Sequence, residues 1–276
     1  MSIAPADAPP PPAWRDWLTD LAQALRFYTR LPTPRLPWEA DPHAAPDFTR
    51  LPRVLPLAGA AVGAVAGASL TIAGAFGLPS MASAGLALVA LVAVTGGFHE
   101  DGLADTADGF GGGATRERRL EIMADSRLGS YGATALVLAL LLRFAALASL
   151  VTHVGYGRAA LALVAASAVA RVAGLIPLWA LPSARPGGKS ASVGRPGDAA
   201  MATAFAVTTV LCVLLLAPGF GLPKALGALV AATLSAWPVT RLSQAMLGGQ
   251  TGDVAGAAGI VAEIAALLAL LAHTGG

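Results

Sequence analysis

Long apolar stretches that carry almost no charge alternate with short polar segments along most of this chain. A helix needs about 20 apolar residues to cross the hydrocarbon core of a bilayer, and seven stretches come close to or exceed that length. They lie at 54–77, 79–98, 130–152, 158–181, 200–217, 222–243 and 254–273. The pattern therefore predicts an all-α fold, a polytopic integral membrane helical bundle of about seven transmembrane helices.

The segment before the first apolar stretch follows a different pattern. From Trp14 onwards, apolar residues recur at helical spacing on one face, while Arg15, Asp16 and Asp20 fall on the other. Such an amphipathic helix lies in the membrane interface or packs on the protein's own surface, and the pattern fits both equally well. The Pro- and Ala-rich residues 1–13 lack the apolar region of a signal peptide, so we expect a disordered tail there.

Composition agrees with a membrane protein. Hydrophobic residues make up 55% of the chain and charged residues 12%, about half of the roughly 25% usual in soluble domains. The net charge of +2 is too small to indicate a nucleic-acid partner. The single cysteine, Cys212, lies in an apolar run, which excludes a disulfide framework and a thiolate metal site.

The distribution of Lys and Arg predicts which way the bundle faces. With the N-terminus in the cytoplasm, 14 of the 18 basic residues fall on the cytoplasmic side and 2 on the opposite side. This is the asymmetry that the positive-inside rule describes. The loops 99–129, 182–199 and 244–253 then all emerge in the cytoplasm, so they can build one site.

The most unusual stretch is Gly96–Gly109, because seven of the 16 acidic residues lie within 100–125. If this stretch is helical, Asp101, Asp105 and Asp108 share one face, where carboxylates repel one another unless cations lie between them. Carboxylate oxygens suit Mg²⁺, and Mn²⁺ is an alternative ion. We favour a metal site at these three aspartates over a solvated acidic cap, which would not need this one-face spacing.

Further candidates flank the three aspartates. His99 is a proton acceptor or a metal neighbour, although a histidine at a membrane interface often has neither role. Asp253 begins the last apolar stretch, where a helix cap and a ligand are equally good explanations. Acidic residues in the charged segment after the glycines are spaced to complete a metal shell, and its arginines to grip a phosphate. The substrate-binding candidates are Glu121, Asp125, Arg127, Arg119, Asp253, Arg143 and Arg171.

Three charges lie inside predicted spans: Arg143, Arg171 and Glu263. Counted from the cytoplasmic ends of their spans, they lie roughly 15–20 Å deep and share one layer. An unpaired charge at that depth costs at least about 2.5–3.5 kcal/mol, so each should find a partner inside the bundle. We predict that Glu263 pairs with one of the arginines and that the other faces a polar cavity. A purely structural pair and a substrate role explain these charges equally well.

Four segments of the chain carry distinctive motifs: Gly96–Gly109, Arg119–Gly132, Phe27–Pro34 and Gly248–Ala257. Together they resemble the signature of the cobalamin (5′-phosphate) synthase, or adenosylcobinamide-GDP ribazoletransferase, family. The similarity extends over about 20 to 273. The chain departs from the family pattern in loop 185–190, where Lys189 and Ser190 replace a Leu-Gly pair, and this leaves the role of that loop open.

The resemblance implies a transferase of late cobalamin biosynthesis. In that family, the adenosylcobinamide phosphate moiety passes from adenosylcobinamide-GDP to α-ribazole or α-ribazole 5′-phosphate, and GMP is released. It also implies a Mg²⁺ cofactor and a place in the bacterial inner membrane. We expect Asp108 or His99 to take the proton of the nucleophile. We further expect an interfacial helix and connector over 14–53, then a transmembrane catalytic domain over 54–276 with its active-site loop at 99–129 in the cytoplasm.

Alternatives to this function remain open at the level of sequence. A membrane phosphotransferase of the CDP-alcohol type also uses aspartates on membrane helices, but its Asp-Gly-x-x-Ala-Arg spacing is not found at Asp101-Gly102. A transporter is the other alternative, because charged residues occur inside the spans. The lipid bilayer is the expected partner besides the small-molecule substrates, and a homo-oligomer or association with other corrinoid-pathway enzymes stays open.

Overall fold

A computed structural model describes residues 13–42, 44–185 and 194–272. The described residues form helices and no strand, as predicted, apart from one isolated bridge between Ser183 and Gln250. The helices are α1 Ala13–Tyr28, α2 Leu55–Ala75, α3 Ser80–Thr95, α4 Phe98–Gly112, α5 Arg116–Ile122, α6 Ser130–Ala173, α7 Ile176–Ala180, α8 Asp198–Phe220, α9 Leu222–Leu247 and α10 Gly252–Leu271. A short 3₁₀ helix, Leu51–Val54, precedes α2. The tail predicted at the N-terminus lies, except for Ala13, outside the described residues.

The predicted membrane bundle is confirmed, with an approximate number of spans. Within the described residues, five helices are long and apolar enough to cross a membrane. Helices α3 and α4 would add a sixth span if they are counted together, but α4 is bent by 87° from α3. Because α4 is acidic and does not continue the direction of α3, we treat α3 as the spanning segment and α4 as a helix outside the spans.

One of the five helices makes two passes. Helix α6 has 44 residues, or about 66 Å if straight, which is twice the roughly 30 Å thickness of the hydrocarbon core. Gly155 interrupts it with φ 82° and ψ 165°, a conformation open essentially only to glycine. Arg143 and Arg171 lie on opposite sides of this glycine, yet both face Glu263. The chain therefore folds back at Gly155, between the predicted stretches 130–152 and 158–181.

Small residues allow α2 to pack closely on the second half of α6. Gly59, Gly63 and Gly67 lie four residues apart, and each faces that half. A Cβ atom at Gly63 would lie 2.6 Å from Cα of Val164, which is closer than packed atoms approach. Close approach of backbones is a main source of helix association in lipid, where the hydrophobic effect does not drive it.

Helix α1 packs on the bundle through its polar face as well as its apolar one. Asp20 lies on the predicted polar face, yet it is only 2% exposed. Its carboxylate lies 3.0 Å from Nη2 of Arg50 and 2.7 Å from Nη2 of Arg53. The helix is amphipathic as predicted, with Trp14 and Leu18 exposed. The two ion pairs explain why it packs on the protein, one of the two placements that the pattern left open.

The turn at Gly155 provides a stability prediction with an internal control. Replacing Gly155 with Ala should lower the free energy of unfolding by about 1–3 kcal/mol, because its φ and ψ strain any residue with a Cβ atom. Gly157 lies two residues further on, has no atom within 4 Å of an added Cβ and does not have a positive φ. Gly157→Ala should therefore cost nothing. Denaturant unfolding in detergent micelles measures both, and equal stability of the two variants would contradict the turn.

Candidate active site

A cavity of about 590 Å³ opens between α1, α4, α10 and the end of α6. Its polar lining residues are His99, Asp101, Arg171, Arg185, Thr251 and Asp253. Its aromatic lining residues are Phe27, Tyr28, Phe48 and Phe98. A cavity of this size suits a small molecule, and its lining combines both signs of charge with flat apolar surfaces.

Two glycines form the turn that directs α4 toward this cavity. Gly96 and Gly97 adopt φ values of 65° and 72°, the left-handed region that favours glycine, and they turn the chain between α3 and α4. Further along α4, Gly102 lies against the start of α10, where an added Cβ atom would lie 2.8 Å from the carbonyl oxygen of Asp253. The absence of a side chain at Gly102 therefore allows Asp101 and Asp253 to line one cavity.

The carboxylates on α4 and α10 influence one another. Burial, together with the negative charges of Asp101, Asp253 and Asp108, raises the pKa of Asp105 to about 7, and Arg185 opposes this shift. Asp101 and Asp105 are neighbours, as the predicted helical spacing required. Asp253 joins them from the other end of the chain, so the acidic cluster is built from two helices.

Asp108 occupies a different environment from the one predicted for it. Its carboxylate is buried and accepts hydrogen bonds from the backbone N–H of Gly129 at 2.7 Å and of Gly132 at 2.8 Å. These groups belong to the first turn of α6, where free N–H groups and the helix dipole favour an anion. Asp108 is not among the residues that line the cavity. The structure therefore assigns Asp108 the task of anchoring α6, and its predicted metal and catalytic roles receive no support from this geometry.

His99 lines the cavity and lies against aromatic rings. It is 6% exposed, its ring lies 5.8 Å from that of Tyr28, and its Nδ1 atom has no hydrogen-bond partner. Burial, and then the charges of Arg171 and Arg143, hold the pKa of His99 well below its usual range. The imidazole is therefore neutral and has a nitrogen that is able to accept a proton, but the same shift makes it a weak base.

The charged side chains of the segment that follows α4 are not among the residues that line the cavity, although Ala124 of this segment is. Glu121 is exposed and pairs with Arg118 at 3.0 Å. Asp125 pairs with Arg127, which is 87% exposed at its side chain. Arg119 donates to the carbonyl oxygen of Met246 at 3.0 Å, near the end of α9. Four predicted substrate-binding residues are therefore placed away from the cavity in this structure: Glu121, Asp125, Arg119 and Arg127.

The three charges within the spans form the layer that was predicted. Arg143 binds Glu263 at 2.7 Å and also binds Glu100 at 2.7 Å. The predicted pair with Glu263 is confirmed, and Arg143 is the partner. Arg171 is the remaining arginine, and it lines the cavity. Arg143 is 2% exposed and bonded to two carboxylates, so it stabilises the wall of the cavity and is not one of its lining residues.

Comparison with known proteins identifies the family. The family model described as cobalamin-5-phosphate synthase matches residues 20–271. The chain belongs to this family. It is 51% identical to an adenosylcobinamide-GDP ribazoletransferase of Azorhizobium caulinodans over 257 residues. This alignment covers 93% of this chain and 96% of that relative. It is 50% identical over 256 residues to the enzyme of that name from Xanthobacter autotrophicus, with coverage of 93% and 97%. No solved structure matches the chain.

As a member of the cobalamin-5-phosphate synthase family, this bacterial membrane protein is a transferase enzyme of cobalamin biosynthesis. The resemblance stated from the sequence is confirmed. A transporter and a CDP-alcohol phosphotransferase are no longer needed to explain its charges and aspartates. The acidic helix α4, which carried the resemblance, also forms one wall of the cavity.

Among the polar and aromatic cavity residues of this family member, sequence reasoning did not select Arg185, Thr251 or any of the four aromatic ones. Arg185 donates to the carbonyl oxygen of Leu120 at 3.0 Å, and it follows a segment that pairs with Gln250. The only sequence signal was the basic, glycine-containing composition of the loop that begins there. Most of loop 185–190, including Lys189 and Ser190, lies outside the described residues.

The residues present determine what kind of metal site this synthase-family protein offers. Among the described residues, no three His, Cys, Asp or Glu side chains are arranged to hold an ion by themselves. Mg²⁺ is commonly held by one or two carboxylates, waters and substrate phosphates, so a complete protein cage is not required. Asp101 and Asp253 line the cavity, and the pKa of Asp105 is raised by burial and then by neighbouring carboxylates, whose repulsion a cation would relieve. The cavity fits an ion that is shared with a phosphorylated substrate.

Proposed function

We propose that this protein transfers the adenosylcobinamide phosphate moiety of adenosylcobinamide-GDP to α-ribazole or α-ribazole 5′-phosphate and releases GMP. The observation that carries the proposal is a cavity in which Asp101, Asp253, His99 and Arg185 meet, in a chain whose relatives are named for this transfer. A displacement at a diphosphate needs neutralisation of charge and an aligned nucleophile, and these residues supply groups for both.

In the proposed reaction, a hydroxyl oxygen of the acceptor bonds to the phosphorus that is linked to the corrinoid. The bond from that phosphorus to the GMP phosphate breaks, and GMP leaves with the bonding electrons. Mg²⁺, or Mn²⁺ in its place, would be held by Asp101 and Asp253 with Asp105 beside them, and it would neutralise charge on the diphosphate. Arg185 adds a positive charge on the same side of the cavity, since it faces both Asp105 and Asp253.

The proton of the acceptor hydroxyl needs a base, and the geometry favours His99 over Asp108. His99 lines the cavity and has an unpartnered ring nitrogen, whereas both oxygens of Asp108 already accept backbone hydrogen bonds. The rings of Phe27, Phe48 and Phe98 offer flat surfaces on which the base of a nucleoside stacks. We therefore assign proton transfer to His99 and binding of the acceptor ring to these aromatic residues.

An assay with purified protein tests this function. Protein in detergent is incubated with adenosylcobinamide-GDP, α-ribazole 5′-phosphate and Mg²⁺, and GMP and the corrinoid product are quantified together. We expect equal amounts of both products, and we expect EDTA to abolish them. Turnover of a CDP-alcohol donor with no corrinoid product would replace the proposal with another phosphotransferase, and the absence of both GMP and corrinoid product would refute it.

We further propose that the protein lies in the bacterial inner membrane with its N-terminus, α4 and α5 in the cytoplasm. The excess of basic residues on this side supports the proposal, with 14 residues against 2. The cavity then faces the compartment that holds nucleotide-activated substrates.

Cysteine labelling tests this orientation. In a Cys212→Ser background, Glu117→Cys in the exposed part of α5 should react with an impermeant thiol reagent only from the cytoplasmic side. Gly157→Cys, exposed beside the turn of α6, is the matched position at the other end and should react only from the periplasmic side. Reaction of Glu117→Cys from the periplasm would reverse the proposed orientation.

A further inference from the structure

Arg171 is a buried arginine whose hydrogen-bonding capacity is unmet. It is 7% exposed, and its Nε atom has no hydrogen-bond partner. Within the described residues, no ion pair or hydrogen bond joins its guanidinium to another group. Arg143 lies in the same layer and donates to two carboxylates. Because a charged group without partners is costly inside a membrane protein, such a residue usually marks a binding site.

Nearby carboxylates balance the positive charge of Arg171, although its guanidinium N–H groups make no hydrogen bond within the described residues. Glu100 and Glu263 are the nearest carboxylates that act on it, but both are already bonded to Arg143. These two carboxylates and one guanidinium carry a net charge of −1, which offsets the charge of Arg171 over a longer distance. The ion-pair layer therefore tolerates a cation at Arg171 and leaves its N–H groups available for a ligand.

The surroundings of Arg171 direct it to the cavity. Arg171 lines the cavity together with His99 and Tyr28, and the Nδ1 atom of His99 is also without a partner. Gly59 on α2 leaves room for the aliphatic part of Arg171, since an added Cβ atom would lie 2.8 Å from its Cγ. Two buried polar side chains thus face one space with unmet hydrogen-bonding capacity, which indicates a polar ligand and not an apolar one.

The chemistry of Arg171 specifies the class of that ligand. A guanidinium with free N–H groups binds the oxygens of a phosphoryl group with charge-assisted hydrogen bonds, often in pairs. The carboxylates of Asp101 and Asp253 in the same cavity repel a phosphoryl group unless a cation lies between them. Arg171 needs no such cation, because its own charge attracts the anion.

We propose that Arg171 is a phosphoryl-binding residue that holds a phosphate group of a substrate without the help of a metal ion. This inference rests on the proposed transfer to α-ribazole or its phosphate. Two sources of the phosphoryl group share this chemistry, the 5′-phosphate of the acceptor and the diphosphate of adenosylcobinamide-GDP. If the acceptor supplies it, Arg171 determines the preference for the phosphorylated acceptor.

Steady-state kinetics of Arg171→Gln separate the two sources. If Arg171 binds the acceptor, the ratio of kcat/KM for α-ribazole 5′-phosphate to that for α-ribazole should fall about ten- to hundredfold, as expected for a lost charge-assisted hydrogen bond. If Arg171 binds the donor, this ratio should be retained, and KM for adenosylcobinamide-GDP should rise by a similar factor. Arg171→Lys keeps the charge without the planar fork, so its effect should be intermediate.

A binding measurement provides a readout that does not depend on turnover. In EDTA, α-ribazole 5′-phosphate or adenosylcobinamide-GDP should raise the melting temperature of the wild-type protein and have a smaller effect on Arg171→Gln. If Arg171→Gln does not fold, the kinetics and the melting shifts are measured on Arg171→Lys instead. Unchanged kinetics and unchanged ligand-induced melting shifts in a folded Arg171 variant would overturn the inference. If the wild-type protein itself releases no GMP, the proposed function fails instead.

Discussion

Replacing Asp101 with Asn should reduce GMP release by at least about a hundredfold while the protein still inserts and folds. Asn keeps the shape of the side chain and removes its charge. Loss of the groups that merely orient metal ligands typically costs 10–100-fold, so loss of a proposed ligand should cost more. Asp105→Asn should act in the same direction but less strongly, because Asp105 lies beside the proposed ligands and its pKa, raised to about 7, already leaves part of it uncharged. Turnover at saturating Mg²⁺ measures both effects.

Two other aspartates serve as controls for this prediction. Asp125 pairs with Arg127 outside the cavity, so Asp125→Asn should keep turnover within a few-fold of the wild type. Asp108→Asn should lower the free energy of unfolding as well as activity, because each carboxylate oxygen accepts one backbone hydrogen bond and one of the two becomes an NH₂ group that cannot accept it. Near wild-type turnover of Asp101→Asn would remove this residue from the proposed metal site.

Replacing Glu263 with Gln should destabilise the protein by about 3 kcal/mol in detergent. Breaking a buried ion pair by removing one partner typically costs about 3–5 kcal/mol, and Glu100 remains bonded to Arg143, which favours the lower end of that range. The loss of stability arises because Arg143, which is buried in the bundle, keeps only one of its two carboxylate partners. Denaturant unfolding measures the loss.

A double-mutant cycle then tests the identity of the partner. Arg143→Gln combined with Glu263→Gln should depart from additivity by about 0.5–3 kcal/mol, because the two side chains are in direct contact. The same cycle with Arg171→Gln should give a smaller coupling, since no ion pair joins Arg171 to Glu263. Equal coupling in the two cycles would show that the layer shares its charge over both arginines.

The bundle was predictable because lipid imposes one strong rule on the sequence. Backbone groups inside a bilayer must be satisfied within helices, so apolar length alone predicts most spans. The turn at Gly155 falls between two predicted stretches for the same reason. Apolar length did not predict the bend at Gly96 and Gly97, because the uncharged residues 96–98 extend the apolar stretch past the end of α3 at Thr95.

The site was predictable only in part. Helical spacing placed Asp101, Asp105 and Asp108 on one face, and α4 is indeed a helix. Spacing cannot show what lies opposite each carboxylate. Asp108 meets the free N–H groups of α6, whereas Asp101 meets the cavity and Asp253. The three aspartates look equivalent in sequence. Contacts with distant parts of the chain give them different surroundings.

By itself, the sequence determined the helical membrane fold, the amphipathic α1, the acidic helix α4 and the family, since each depends on local composition, periodicity or a contiguous motif. Only the tertiary structure decided that Arg143 takes both Glu100 and Glu263, and that Arg171 is left facing the cavity. The physical reason is that depth in a membrane can be counted along one helix, whereas pairing depends on the rotation and approach of different helices. Those quantities are set by the packing of small residues such as Gly59, which lies against Arg171 but is far from it in sequence.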